Sequence, residues 1–119
     1  MRLNEVSFSG AIPVDGYGDG FFRIGGEAHP APLALLPGGI VPWRGFDDVA
    51  DLCAAAPAID VLLVGTGAGT AAIPGGFRGR LEDAGIGVEV MASAQACRTY
   101  NVLIGEGRRV GLALLPVGA

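Results

Sequence analysis

Asp60-Val61-Leu62-Leu63-Val64-Gly65-Thr66-Gly67, then Gly87-Val88-Glu89-Val90-Met91, then Val110-Gly111-Leu112-Ala113-Leu114-Leu115: these three stretches decide the fold. The first is a continuous apolar run bounded by Asp60 and Gly65, the pattern of a strand covered on both faces. The intervals between the three have helical period. Phe77, Leu81 and Ala84 fall at i, i+4 and i+7, with Gly85 placed as a C-terminal cap. Ser93 suits the N-cap of a helix from Ala94 to Ile104, whose buried stripe is Ala96, Cys97, Tyr100, Leu103 and Ile104. Gly105 stops that helix. From residue 60 the order is therefore strand, helix, strand, helix, strand, which forces parallel pairing through right-handed crossovers.

Toward the N-terminus the pattern changes. Residues 1–20 read as irregular, with Asp15-Gly16-Tyr17-Gly18-Asp19-Gly20 a turn-rich lead into a strand at Phe21–Ile24 that Gly25-Gly26 breaks. Leu33–Leu36, the link Pro37-Gly38-Gly39 and Ile40–Trp43 read as a hairpin. Phe46, Val49, Leu52 and Cys53 then recur at helical spacing to Ala55, with Asp47 and Asp48 in the first turn and Pro57 ending the segment. The expectation is an α/β fold formed by one domain over residues 1–119. Its mixed sheet is parallel in the C-terminal half and antiparallel at the N-terminus, with helices mainly on one side.

A chain of 119 residues can bury roughly two thirds of its unfolded surface, so a core forms without staples. Half the residues are apolar and 17% are charged, which excludes a disordered chain. A formal charge of −4 disfavours nucleic acid and anionic membranes, since both lean on clustered Lys and Arg. The two cysteines, Cys53 and Cys97, form no C-x-x-C spacing, so free thiols in a reducing compartment are expected. No signal architecture opens the sequence, and Gly, Pro or a charge interrupts every apolar stretch short of a membrane span. A soluble, cytoplasmic protein without membrane insertion is the expectation.

Gly65-Thr66-Gly67-Ala68-Gly69-Thr70 directly after a strand invites a nucleotide reading, because closely spaced glycines let backbone N–H groups approach a phosphate. The match fails in detail. The third glycine of G-x-G-x-x-G falls on Thr70, Ile73-Pro74 precedes the next helix, and no Lys follows to make a P-loop. If the strands ending at Val64 and Met91 are parallel, however, the Gly65-Thr66-Gly67 turn and the Ser93 helix start share one edge of the sheet, where α/β folds hold ligands. Arg98 and Asn101, three residues apart, can share the polar side of that helix. These six residues are the candidate anion or small-molecule site.

Cys97, beside Arg98, is a candidate nucleophile by position, but its place on the apolar stripe reads as a buried hydrophobe. His29, the only histidine, reads as a surface residue, and nothing in the spacing of His and Cys points to a metal site. Phe21, Phe22 and Trp43 are candidate interface residues: strand alternation turns one of two consecutive aromatics outward, and aromatics are enriched at interfaces. No cofactor is expected.

Ala96-Cys97-Arg98-Thr99-Tyr100-Asn101-Val102-Leu103, followed by Gly105-Glu106-Gly107-Arg108-Arg109-Val110, resembles the family of small domains that includes complex I (NADH:ubiquinone oxidoreductase) assembly factor 3. The likeness extends in order through Phe22-Arg23-Ile24-Gly25-Gly26, Leu35-Leu36-Pro37-Gly38-Gly39, Asp60 to Gly67, and Gly85-Ile86-Gly87-Val88-Glu89-Val90-Met91. The resemblance implies a compact three-layer β/β/α domain with a mixed sheet, no established catalytic residues, and a protein-interaction role. Its mitochondrial members help assemble a respiratory complex and carry a targeting extension that this sequence does not show. Ala92 stands where relatives often have an acidic residue.

Two functions follow as expectations. The first is a non-enzymatic interaction module, similar to an assembly factor, that holds a protein partner such as a respiratory-chain subunit or another assembly protein. The alternative is a small-molecule or anion-binding protein, or a weak enzyme, working at the Gly65–Gly67 turn and the Ser93 helix start.

Overall fold

The computed structural model describes residues 11–118; the reading of residues 1–10 as irregular lies outside them. The elements run β1 (Val14–Gly18), β2 (Phe21–Ile24), β3 (Glu27–Pro30), β4 (Leu33–Leu36), β5 (Gly39–Pro42), α1 (Ala50–Ala54), β6 (Val61–Gly65), α2 (Gly75–Asp83), β7 (Gly87–Met91), α3 (Ser93–Gly105) and β8 (Val110–Leu114). Five strands form a mixed sheet in the order β5-β4-β8-β6-β7. β6 pairs in parallel with both β7 and β8, while β4 pairs antiparallel with β5 and β8. The parallel half and the β4–β5 hairpin are those expected from the sequence, with Pro37-Gly38 as the turn and Gly39 the first residue of β5.

Strand order dictates where the helices go. The chain leaves β6, crosses by α2 to its neighbour β7, then returns by α3 over β6 to β8. Two right-handed crossovers that move in opposite directions place their helices on opposite faces. The packing follows. Ala96, Cys97, Tyr100 and Ile104 of α3 meet Leu33, Leu35, Leu63, Leu112 and Leu114 on one face. Leu52 of α1 and Phe77 and Leu81 of α2 meet Ala34, Leu36, Leu62, Val64 and Ala113 on the other. The expectation of helices mainly on one side is thus corrected: α3 lies across the sheet from α1 and α2.

The segment expected to be irregular before residue 20, and the one after Gly25-Gly26, hold a second, three-stranded antiparallel sheet, β1-β2-β3. Gly25 and Gly26, at φ 60° and 85°, form the tight turn of the β2–β3 hairpin where the sequence suggested a break. Val14, Phe22 and Ile24 of this sheet pack on the same core as α3, so in the three β/β/α layers α3 shares the layer of the small sheet, and α1 and α2 form the helical layer.

The helices are short and hold by packing more than by propensity. α1 covers only Ala50–Ala54, later than the Phe46 start expected, because Asp48 turns back to accept the Arg44 N–H at 3.1 Å. α2 contains three glycines yet ends in a full left-handed cap. Gly85 sits at φ 90°, its N–H reaches the Glu82 carbonyl, and the Ile86 N–H reaches that of Leu81 at 3.0 Å. α3 runs through Gly105 and ends the same way at Gly107, φ 78°, with the Arg108 N–H on the Leu103 carbonyl. Arg109 then donates to the Asp60 carboxylate at 2.7 Å and to the Pro57 carbonyl at 3.0 Å, joining the starts of β6 and β8 and lowering the Asp60 pKa.

Candidate functional site

The C-terminal ends of β6 and β7 are the point where this topology reverses direction, the usual place for a ligand crevice in a parallel sheet. Gly65, Thr66, Gly67 and Ser93 meet there, as expected. Ser93 does not cap α3, however. It is the first helical residue, fully buried, and Ala92 takes the flanking position with no side-chain cap. Its hydroxyl accepts the Gly67 N–H and donates to the Leu115 carbonyl, each at 2.8 Å. Its own N–H reaches the Gly67 carbonyl at 2.9 Å.

Thr66 is bonded within the same rim. Thr66 Oγ1 donates to the Gly69 carbonyl at 2.7 Å and accepts the Ala71 N–H at 3.0 Å, while the Thr66 N–H reaches the Met91 carbonyl at 2.9 Å. Steric fit closes the crevice further. A Cβ on Gly65 would lie 2.7 Å from the Ser93 Cα and 2.8 Å from Leu114 Cδ2, so only glycine lets the helix start sit this close to the strand end. The glycine turn and Ser93 form a knot that fastens α3 to β6, β7 and β8.

Arg98 and Asn101 belong elsewhere. At 1.5 Å rise and 3.6 residues per turn, Arg98 is about 7.5 Å along α3 from Ser93 and about 140° around it. The two residues instead line a groove of about 200 Å³ between α3 and β1, with Ala94 and Cys97 on the helix and Val14, Asp15, Gly16 and Tyr17 on the strand. Asn101 clamps the two elements. Its Oδ1 accepts the Val14 N–H at 2.9 Å and its Nδ2 donates to the Val14 carbonyl at 2.8 Å. Tyr100 adds a bond from its hydroxyl to the Ile12 carbonyl at 3.0 Å, and burial raises its pKa. Arg98 is exposed.

Cys97 is buried on the sheet-facing side of α3, and burial pushes its thiol up to about 12, against a smaller pull downward from the Arg98 charge. A thiol held protonated in this way is the hydrophobe of the stripe, not an activated nucleophile. His29 sits half-buried in β3, with Nε2 3.9 Å from the Glu27 carboxylate. Among the described residues no group of three His, Cys, Asp or Glu side chains is placed to hold a metal ion.

The aromatic candidates are corrected by burial. Phe22 is completely buried under the small sheet, because its side chain takes the inward face of β2. Trp43 is 2% exposed and packs at 5.8 Å and 6.1 Å from the rings of Phe46 and Phe77, which fill the α1–α2 side of the core. Neither is an exposed interface residue. Phe21, on the opposite face of β2, is half-buried with its ring over Gly18. Among the described residues the aromatic most open to solvent is Tyr17, 48% exposed at the groove. Its signal in the sequence was the Gly18-Asp19-Gly20 turn, which marks the hairpin that puts Tyr17 opposite Phe22.

A mixed five-stranded sheet with a small antiparallel sheet beside α3 is the architecture of this chain, and its neighbours are Mth938-like α/β domains. The chain is similar to a Bordetella pertussis protein solved as a Mth938-like domain, at 30% identity and a TM-score of 0.76 over 99% of this chain and 94% of that one. It is also similar to a structure titled an outer membrane protein from Bartonella henselae, at 32% identity and a TM-score of 0.82 over 92% and 98% of the two chains. The family model described as "Protein of unknown function (DUF498/DUF598)" matches residues 14–115, and the chain belongs to that family.

Among curated relatives, an uncharacterised protein of Rhodobacter capsulatus is 50% identical across 98% of this chain and 94% of its own length. The human NADH dehydrogenase [ubiquinone] 1 alpha subcomplex assembly factor 3 is 34% identical across 98% of this chain and 67% of its own. The Rattus norvegicus assembly factor 3 is 33% identical across 98% of this chain, which spans 66% of it. These homologies agree with the resemblance read from the sequence.

Proposed function

We propose that this protein is a non-enzymatic interaction module of the cytoplasm that assists assembly of a respiratory complex by holding one of its subunits or another assembly protein. The observation that carries the proposal is the homology to assembly factor 3, which extends over 98% of this chain at about one third identity. Two features of the site support it. In the crevice where this topology would hold a small molecule, Gly67 and Ser93 are bonded to each other, and Gly65 and Thr66 to neighbouring backbone groups. Burial shifts the Cys97 thiol away from reactivity. No helix among the described residues is long and apolar enough to cross a membrane, so on this reading the module meets its partner from the aqueous side.

Deletion of the gene in its source organism, followed by native gel electrophoresis of solubilised membranes with in-gel NADH dehydrogenase staining, tests the proposal. The expected result is loss of the full-size complex or build-up of a smaller one, restored by a plasmid copy. Normal assembly in the deletion strain refutes it.

A further inference from the structure

The geometry points to a docking site for an extended peptide segment of a partner protein in the β1–α3 groove, where the segment adds a strand beside Tyr17 and sets a carboxylate on Arg98. This rests on the interaction-module reading and names the surface through which it works.

The first observation is the bonding of β1. The two-residue turn Asp19-Gly20 makes Gly18 and Phe21 the closing bonded pair of the β1–β2 hairpin, so in the next pair Tyr17 and Phe22 direct their backbone groups outward. Phe22 turns its groups onto β3, where it pairs with His29. The Tyr17 N–H and C=O point the other way, toward the groove, and no described residue takes them up. Val14, across a bulge, is turned the same way, and there the Asn101 side-chain amide supplies both a donor and an acceptor. An amide stands where a neighbouring strand's peptide group would stand. The edge is thus bonded in strand fashion at Val14 and offers the same pair of groups at Tyr17, the arrangement by which sheet edges capture extended peptides.

The second observation is charge. Asp15 and Arg98 both line the groove; Asp15 keeps its negative charge but is tied to the β2–β3 turn, where its Oδ2 accepts the Gly26 N–H at 2.8 Å. The guanidinium of Arg98 is the positive charge at the groove. A single exposed guanidinium on a protein of net charge −4 suits one carboxylate and not a polyanion. The third is size. About 200 Å³ is below the roughly 300–1,000 Å³ of small-molecule sites and accommodates one or two side chains. The exposed Tyr17 ring flanks that space, with Ala94 and Cys97 across from it.

The test is an NMR titration of the isotope-labelled full chain with hexapeptides of alternating Val and Thr that carry Glu, Gln or Lys at one central position. The Glu peptide is expected to shift the amides of Tyr17, Ala94 and Arg98 in a saturable way. Arg98→Glu, an exposed change that retains the folded spectrum, should weaken that peptide by about tenfold or more and restore binding to the Lys peptide. Absence of saturable shifts at these amides overturns the inference. So does equal binding of Glu and Lys peptides to the unaltered chain, or the same shifts produced by inorganic phosphate alone. The titration uses only the purified chain, so it fails with the groove; the assembly reading fails separately, on the native gel. Full complementation of the deletion strain by Arg98→Glu, where the unaltered gene also complements, removes the groove and leaves the assembly reading in place.

Discussion

Replacing Ser93 with alanine removes one oxygen from a fully buried position and leaves two backbone groups without their partner. The Gly67 N–H is buried, and a buried donor left unpaired costs about 1–3 kcal/mol. The Leu115 carbonyl, only half-buried, can turn to water, and its lost bond costs about 0.5–1 kcal/mol. Alanine's better helix propensity returns a few tenths of a kcal/mol at this first position of α3. The sum is about 1–4 kcal/mol, a lowering of the melting temperature by about 5–15 °C for a chain of this length. Urea unfolding at unchanged m-value measures it, with Gln95→Ala, an exposed change in the same helical turn, as the control. Hydrogen exchange separates the two roles open to this serine. In the knot, the Gly67 amide loses protection; in a capping role, the amides of Gln95 and Ala96 would lose it instead. A loss below about 0.5 kcal/mol, the range of ordinary surface substitutions, or an unaltered Gly67 amide would falsify the account of the rim.

Asn101→Asp keeps an acceptor for the Val14 N–H but turns a carboxylate oxygen onto the Val14 carbonyl, so it should cost more than Asn101→Ala, itself about 1–2 kcal/mol by denaturant unfolding. Equal costs would mean that the clamp is not two-pointed. Gly65→Ala should destabilise by about 1–3 kcal/mol through overpacking against the Ser93 backbone, whereas Gly69→Ala, with open space around it, should stay within about 0.5 kcal/mol. A thiol reagent at pH 8 should modify half-buried Cys53 long before Cys97, and Cys97 labelling should track unfolding; early Cys97 labelling contradicts its burial. The same raised thiol gives a direction with pH. Folded Cys97 holds its proton to about 12 while the unfolded thiol gives it up near 9.0, so its contribution to stability is complete below pH 9 and is lost as pH rises from there. Urea midpoints should fall above pH 9, and Cys97→Ala should flatten that fall.

The sequence made the parallel half legible because each of its strands carries enough apolar residues to declare itself, and each helix between them shows a buried stripe. β1 and β3 did not declare themselves. Between Val14 and Gly18 the alternation is filled by glycine, and Glu27-Ala28-His29-Pro30 has no large apolar residue; both are strands because β2 lies between them and supplies their hydrogen bonds. The right-handed rule could place α3 opposite α2 only once the order β8-β6-β7 was known, and strand order is not written in local pattern. At the site, the meeting of Gly65–Gly67 with Ser93 followed from parallel strands. The use made of it did not, since a serine before a helix looks the same whether it caps its own backbone or bonds a loop from two strands away. Arg98 and Asn101 lie on the expected helix but face β1, a strand whose glycine-filled pattern hides it in the sequence.

Position 65 is one methyl group from a different molecule. With hydrogen there, the helix start and the strand end touch; with any side chain, Ser93 of α3 and Leu114 of β8 must give way. In relatives of this chain the residue at that position therefore serves as a gauge, read without coordinates. Glycine is what this sealed rim requires, and a larger residue requires the helix start and the strand end to stand further apart.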